Sequence, residues 1–337
     1  MAYVDLSRDP AALQRIFVSL ELAGPEETVT GVALAGGVSS GIYRVDLRSG
    51  SYCLKQALPK LKVAKEWNVP VERVFAEIEW LRTVHRIAPG QVPRVLGQDD
   101  ASKSFVMEFL GPGYRHWKSE LLAGRIDIES ARGTGHLLGR IHGATADRPE
   151  LALRFATDAN FDAIRLEPYL AETARAHPAL ADRLLALVAR TAATRRVLVH
   201  GDVSPKNILI GPTGPVLLDA ECAWFGDPAF DLAFCLNHLL LKAAHMPRQA
   251  GGFMASYRAL AAAYLEHVRW EPAAALDARA AALLPGLALA RVDGKSPVEY
   301  LGASVRDAVR RATVPLVRRA PASLEALASS WNKEFAI

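Results

Sequence analysis

What most limits the folds open to this chain is the stretch of residues 197–221. Three short apolar runs, 197–200, 208–210 and 216–218, are each bounded by turn residues and read as strands, the last two as a hairpin. Between the first two lies the loop His200-Gly201-Asp202-Val203-Ser204-Pro205-Lys206-Asn207, and Leu218-Asp219-Ala220-Glu221 follows the last. Phosphoryl transfer to a hydroxyl needs a carboxylate that accepts or orients the hydroxyl proton. It also needs oxygen ligands that hold Mg²⁺ against nucleotide phosphates. Asp202 and Asn207, five apart on one loop, are spaced to serve the acceptor and the metal, and Asp219 ends the returning strand where it can ligate the same ion. The plainer reading makes Asp202 and Asn207 loop formers and Asp219 a cap. The joint H-x-D-x-x-x-x-N and D-x-E spacing favours the chemical one.

The rest of the chain reads as two lobes. Runs 29–34, 42–47 and 51–56 are rich in strand formers and separated by Gly-Gly and Arg-Ser-Gly turns. Val71, Val74, Phe75, Ile78 and Leu81 then recur at helical spacing, and 94–97 and 105–109 are further strands. Gly111-Pro112-Gly113 breaks the chain as a hinge would. Beyond it helical patterns dominate, over about 128–144 and 178–194 and from 231 onward.

In the first lobe, Ala35-Gly36-Gly37-Val38-Ser39-Ser40-Gly41 lies between two strands, and its small residues allow backbone N–H groups and hydroxyls to approach a phosphate chain. Lys55 follows in an apolar strand, where a lysine is costly without an anionic partner. Glu77, at the edge of the apolar helix face, is the natural carboxylate to hold it, with nucleotide phosphate as a second anion.

The loop at 200–207 resembles the catalytic loop of the aminoglycoside phosphotransferase and choline kinase-like superfamily, relatives of the protein kinases. Gly226-Asp227-Pro228-Ala229-Phe230-Asp231-Leu232-Ala233 resembles the G-D-P-x-x-D-L-A run typical of it. The resemblance implies an α+β, bilobal protein kinase-like fold. Residues 1–110 would form a small β-rich nucleotide-binding lobe, and 111–337 a larger, mainly helical catalytic and substrate-binding lobe with an embedded catalytic β-hairpin. It implies Asp202 as catalytic base, Asn207 and Asp219 as Mg²⁺ ligands and His200 as a structural residue of the loop. Asp231 is expected both to cap the helix that follows and to brace the loop. The segment 106–110, with Glu108 and Leu110, matches the position of an adenine-binding hinge. Lys55-Gln56-Ala57-Leu58-Pro59, then Lys62, Val63, Trp67, Pro70, Arg73 and Glu77, is similar to the N-lobe of 5-methylthioribose kinases, as is Asp219-Ala220-Glu221. That similarity implies that Glu221 joins Asp219 near the metal.

The expectation is therefore an ATP- and Mg²⁺-dependent kinase acting on a hydroxyl of a small sugar-like or polyol metabolite. Aminoglycoside, choline or homoserine kinases and a nucleotide-binding pseudokinase are the alternatives. A protein kinase is disfavoured by D-A-E in place of D-F-G and by the lack of an A-P-E segment. Arg291, Asp293 and Lys295, in a polar cluster between two apolar helical runs, are candidates to meet the acceptor, unless they only cap those helices; His116 and Trp117 are further candidates.

Composition narrows the partners. Of 337 residues half are hydrophobic, and 40 basic against 36 acidic residues leave a charge of +4 with no basic stripe, so no nucleic-acid partner is expected. No membrane span or signal peptide is expected either. Three irregularly spaced cysteines, Cys53, Cys222 and Cys235, read as buried free thiols in a cytoplasmic protein, a monomer or homodimer.

Overall fold

Residues 50–57 alternate so that Leu54 and Lys55 point to opposite faces, and both faces are covered, which makes this the central strand of its sheet. The computed structural model describes residues 6, 9–34, 39–60 and 69–337. The chain divides into two units, Met1–Gly113 and Tyr114–Ile337. In the first, α1 (Pro10–Ser19) precedes β1 (Gly31–Ala33), β2 (Ser40–Leu47) and β3 (Gly50–Ala57). Then come α2 (Arg73–Ile87), β4 (Val95–Asp99) and β5 (Ser104–Glu108). The strands form an antiparallel sheet in the order β1-β2-β3-β5-β4. Leu54 packs with Val45, Val106 and the α1 residues Leu13, Ile16 and Phe17, while Lys55, on the other face, turns to α2.

The second unit opens with β6 (Arg115–His116), α3 (Trp117–Leu122), α4 (Ile128–Thr145), α5 (Pro149–Arg154) and α6 (Asp158–Phe161). A π-helical stretch, Asp162–Ala171, leads into α7 (Glu172–Ala176) and, through a 3₁₀ turn at Pro178–Leu180, into α8 (Ala181–Ala193). Next are β7 (Val197–Val199), β8 (Ile208–Gly211), β9 (Gly214–Leu217) and β10 (Trp224–Gly226). The chain ends in α9 (Pro228–His245), α10 (Ala250–Leu265), α11 (Ala273–Asp293), α12 (Ala303–Arg318) and α13 (Leu324–Phe335). The β8–β9 hairpin extends to β6, and β7 pairs with β10.

α9 is mostly apolar and is buried from Pro228 to Ala244, packed by α4, α10 and α11. The close contact of α4 with α10 depends on Gly135, where a Cβ would stand 2.3 Å from the Leu260 carbonyl oxygen. Although no uncharged run of membrane length stands out in the sequence, α11 is long and apolar enough to cross a membrane; 67% of its apolar window is buried in this core. The three cysteines are free and buried.

Two expectations need correction. The cap of α9 is Asp227, whose side chain accepts the Ala229 N–H ahead of Pro228 at the first turn; Asp231 lies one turn inside the helix. The helical pattern at 178–194 begins as a 3₁₀ turn, and the helix proper starts at Ala181.

Candidate active site

β7 delivers the chain to His200 and Gly201, where it must turn sharply. Gly201 adopts φ +78°, and a Cβ there would lie 2.6 Å from the Cys222 carbonyl oxygen, so both conformation and space require glycine. The turn is fixed from below by Asp231, fully buried in α9: its Oδ2 accepts the His200 N–H at 2.7 Å and its Oδ1 the Gly201 N–H at 2.8 Å. His142 on α4 meets Asp231 Oδ2 through Nε2 at 3.2 Å, while its Nδ1 lies 2.8 Å from the Tyr264 hydroxyl. The bracing role expected of Asp231 is thus present in the geometry without the capping role.

His200 ties the loop to the hairpin. Its Nδ1 accepts the Asp202 N–H at 3.1 Å, so the proton sits on Nε2, which donates to the Leu218 carbonyl at 3.0 Å. Burial pushes the imidazole pKa down, against the attraction of the Asp231, Asp202 and Asp219 charges, which suits this neutral tautomer. The Leu218 N–H in turn donates to the Asn207 carbonyl at 2.9 Å, so the segments carrying Asp202, Asn207 and Asp219 are joined through backbone.

Asp202 is buried, and three donors converge on one of its oxygens. Oδ2 accepts from Asn207 Nδ2 at 2.8 Å and is ion-paired with Arg165 Nη2 at 2.8 Å and Lys206 Nζ at 3.0 Å. Oδ1 has no hydrogen-bond partner among the described residues. Burial would raise this carboxyl, but the Arg165 and Lys206 cations outweigh it and hold it below the ordinary value, so it is an anion at neutral pH. Arg165 comes from the π-helical stretch and is itself buried; its Nε donates to the Gly201 carbonyl at 2.5 Å, so one guanidinium holds both the carboxylate and the turn before it. Nothing in the sequence near Arg165 marks it, because its partner lies 37 residues on and the π-helical register, with Pro168 inside it, follows no simple period. Lys206 stands within the recognised loop, and its spacing of four from Asp202 was the available signal.

Asn207 uses Nδ2 for both of its side-chain bonds to Asp202, to Oδ2 and, at 3.0 Å, to the backbone carbonyl. Its amide Oδ1 is therefore turned away, a hard oxygen donor. Asp219 holds φ +66°, a left-handed conformation that few residues other than glycine adopt and that often accompanies functional sites. Glu221 is buried nearby, and its carbonyl accepts Asn160 Nδ2 at 2.8 Å. No group of three or more His, Cys, Asp or Glu side chains is arranged to hold a metal among the described residues. An amide oxygen with one or two carboxylates nevertheless fits Mg²⁺, which commonly completes its octahedron with substrate phosphate and water.

In the N-terminal unit, Lys55 Nζ lies 2.7 Å from Glu77 Oε1, and both side chains are at most 4% exposed. Such a buried pair is weak as a source of stability and stronger as a sign of function. Arg73 Nη2 donates to the carbonyls of Ser39 at 2.6 Å and Leu58 at 2.9 Å, fixing the chain where β2 begins; Ser39 and Ser40 are buried there. Gly36, Gly37 and Val38 of the glycine loop, with Lys62, Val63 and Trp67, lie outside the described residues. Glu108 is exposed at the end of β5, its N–H donating to the Arg94 carbonyl at 2.9 Å, and Leu110 is half-buried.

The polar cluster at 291–300 separates into two groups. Asp293 binds Arg310 at 2.6 Å and His177 at 2.7 Å, and Lys295 binds Glu167 at 2.8 Å, so both join helices. Arg291, by contrast, lines a small cavity that also reaches Ser204 and Lys206 of the 200–207 loop. Of the two weaker candidates, Trp117 is buried in the core and His116 is exposed on β6.

Comparison with known proteins places the chain in a family. A family model described as the phosphotransferase enzyme family (APH) matches residues 30–276. The chain belongs to that family. A methylthioribose kinase of Klebsiella pneumoniae is 25% identical to this phosphotransferase over 273 residues, covering 73% of this chain and 68% of that one. A second, of Pectobacterium atrosepticum, is 26% identical over 251 residues, 66% and 62% of the two chains. Among solved structures, a choline/ethanolamine kinase family protein from Mesorhizobium loti superposes with a TM-score of 0.51 at 16% identity, over 97% of this chain and 99% of that one. An amicoumacin kinase in complex with AMP-PNP, Ca²⁺ and Ami gives a TM-score of 0.50 at 16% identity, over 94% and 97%. The phosphotransferase thus has the expected protein kinase-like fold. It is a small-molecule kinase that acts on a hydroxyl.

Proposed function

We propose that this phosphotransferase transfers the γ-phosphoryl group of Mg·ATP to a hydroxyl of a small polyol, the chemical class to which methylthioribose belongs, with Asp202 as base. The observation that carries the reading is the one-sided bonding of Asp202. Three donors hold Oδ2, so the carboxylate is fixed and ionised while Oδ1 is left to accept the acceptor's proton. The acceptor oxygen bonds to the γ-phosphorus as the bond to the β–γ bridging oxygen breaks, ADP departs, and the hydroxyl proton passes to Asp202 Oδ1. Asn207 Oδ1 and the carboxylates of Asp219 and Glu221 would hold the divalent ion, which when bound neutralises charge on the phosphates. Lys55, kept in place by Glu77, would pair with nucleotide phosphate, and the backbone at 106–110 with adenine.

The use of a nucleoside triphosphate with a divalent ion is supported by the family relationship and by the structural neighbour bound to AMP-PNP and Ca²⁺. Methylthioribose is named for the relatives, at about a quarter identity, and for this chain it stands as one member of the acceptor class. Lys55→Met tests the nucleotide assignment. Loss of a charge-assisted contact to phosphate is expected to weaken Mg·AMP-PNP binding roughly 10- to 100-fold in calorimetry. Unchanged affinity in a folded variant contradicts the role given to Lys55.

A further inference from the structure

The cavity beside the catalytic loop is rich in side chains that can donate hydrogen bonds, with Pro205, Val298 and the Glu299 carboxylate completing its lining. It measures about 30 Å³ and is lined by Ser204, Lys206, Lys242, Arg291, Glu299 and Tyr300, among others. Lys242, on α9, is the unusual member. It is 1% exposed, and among the described residues no carboxylate pairs with it: its ammonium has a 3.5 Å contact with the His238 carbonyl and lies 5.1 Å from the centroid of the Tyr300 ring. A buried cation without an anion is costly to fold and is not left so without a reason.

Its neighbours share the deficit. The Ser204 and Tyr300 hydroxyls are buried with no hydrogen-bond partner among the described residues, as is Nε of Arg291. The one carboxylate of the lining, Glu299, is already taken by Lys118. Burial, reinforced by the Lys118 and Arg291 charges, pushes the Lys242 ammonium down to about 7. An anion placed beside it would restore the charged form. The position is equally informative. Ser204 is two residues beyond Asp202, and Lys206 both lines the cavity and touches Asp202 Oδ2 at 3.0 Å. A group seated in the cavity is therefore within a small molecule's length of the hydroxyl that Asp202 would serve.

We propose that this cavity is a subsite for a carboxylate of the acceptor, received by Lys242, Ser204, Tyr300 and Arg291, so that the preferred substrate is an acidic polyol such as a sugar acid. The volume holds roughly two water-sized groups, which suits a carboxylate better than a phosphate. The inference rests on the kinase reading above and makes it more specific.

Calorimetry on the intact protein tests it in two stages. Mg·AMP-PNP is titrated first; ribonate, gluconate and glycerate are then compared with ribose, methylthioribose and ribose 5-phosphate on the loaded enzyme. At least one acid should bind roughly 10- to 100-fold more tightly than its neutral counterpart, and Lys242→Met should remove that preference. Because the substitution removes an unpaired buried charge, the Tm of Lys242→Met should hold or rise, whereas a purely structural lysine would give a lower Tm and an unaltered acid preference. Acids that bind no better than neutral sugars, or sugar phosphates that bind where no carboxylate does, overturn the proposal while the nucleotide step leaves the kinase reading standing. Failure of Mg·AMP-PNP to bind removes the kinase reading, and this inference with it.

Discussion

Asp202→Asn lowers kcat by roughly 10²- to 10⁴-fold, the range for removing a positioned general base. The reason lies in which oxygen is occupied. The amide oxygen of the variant takes the place of Oδ2 and keeps the donors Arg165, Lys206 and Asn207, which puts an NH₂ group where Oδ1 stood. A donor now faces the acceptor hydroxyl, and nothing remains to take its proton. Nucleotide affinity should change little, so steady-state kinetics combined with AMP-PNP binding separates loss of chemistry from loss of substrate. In the unaltered enzyme the carboxyl is held below its ordinary pKa by the two cations. Its protonation, and the loss of rate that goes with it, therefore belongs below the usual carboxylate range, and kcat should show no acid limb from Asp202 near neutral pH.

Asp231→Ala has the largest expected effect on stability. The change orphans two backbone N–H groups, at His200 and Gly201, and leaves His142 Nε2 without its carboxylate, all in a fully buried setting. Each buried donor left unmade costs about 1–3 kcal/mol, so a total of roughly 3–5 kcal/mol is expected after some relaxation. By the scaling for domains of this size the Tm should fall by roughly 6–20 °C in calorimetry. Asp231→Asn, which keeps one acceptor oxygen, should fall between the two. A variant Tm equal to the wild type would mean that the loop at 200–202 is held by something other than α9.

The hairpin and its three polar residues were legible in sequence because the strands are short and apolar and the spacing of Asp202, Asn207 and Asp219 leaves few ways to connect them. Lys55 with Glu77 was legible for a different reason: a lysine in an apolar strand demands a carboxylate, and helical periodicity selects which one. Asp231 was read partly wrongly, since two aspartates stand near the start of α9; Pro228 at the first turn was the sign that Asp227 is the cap. α1 went unread although Asp9 and Pro10 mark its start, and the three-residue β10 is too short for alternation to show. Arg165 and His142 reach the site only through tertiary contact with Asp202 and Asp231, which no local pattern encodes. Lys242 follows the same rule in reverse, because its significance is that no carboxylate among the described residues pairs with it, a property of the packed helices.

The most direct test of the central claim is ³¹P NMR of the intact protein incubated with Mg·ATP and small hydroxylated acceptors, sugar acids and methylthioribose among them. The account predicts a new phosphomonoester signal growing in step with ADP for at least one acceptor, and its near-absence when Asp202→Asn replaces the wild type. Bound nucleotide with no ester from any acceptor, or an ester formed equally fast by Asp202→Asn, would contradict it.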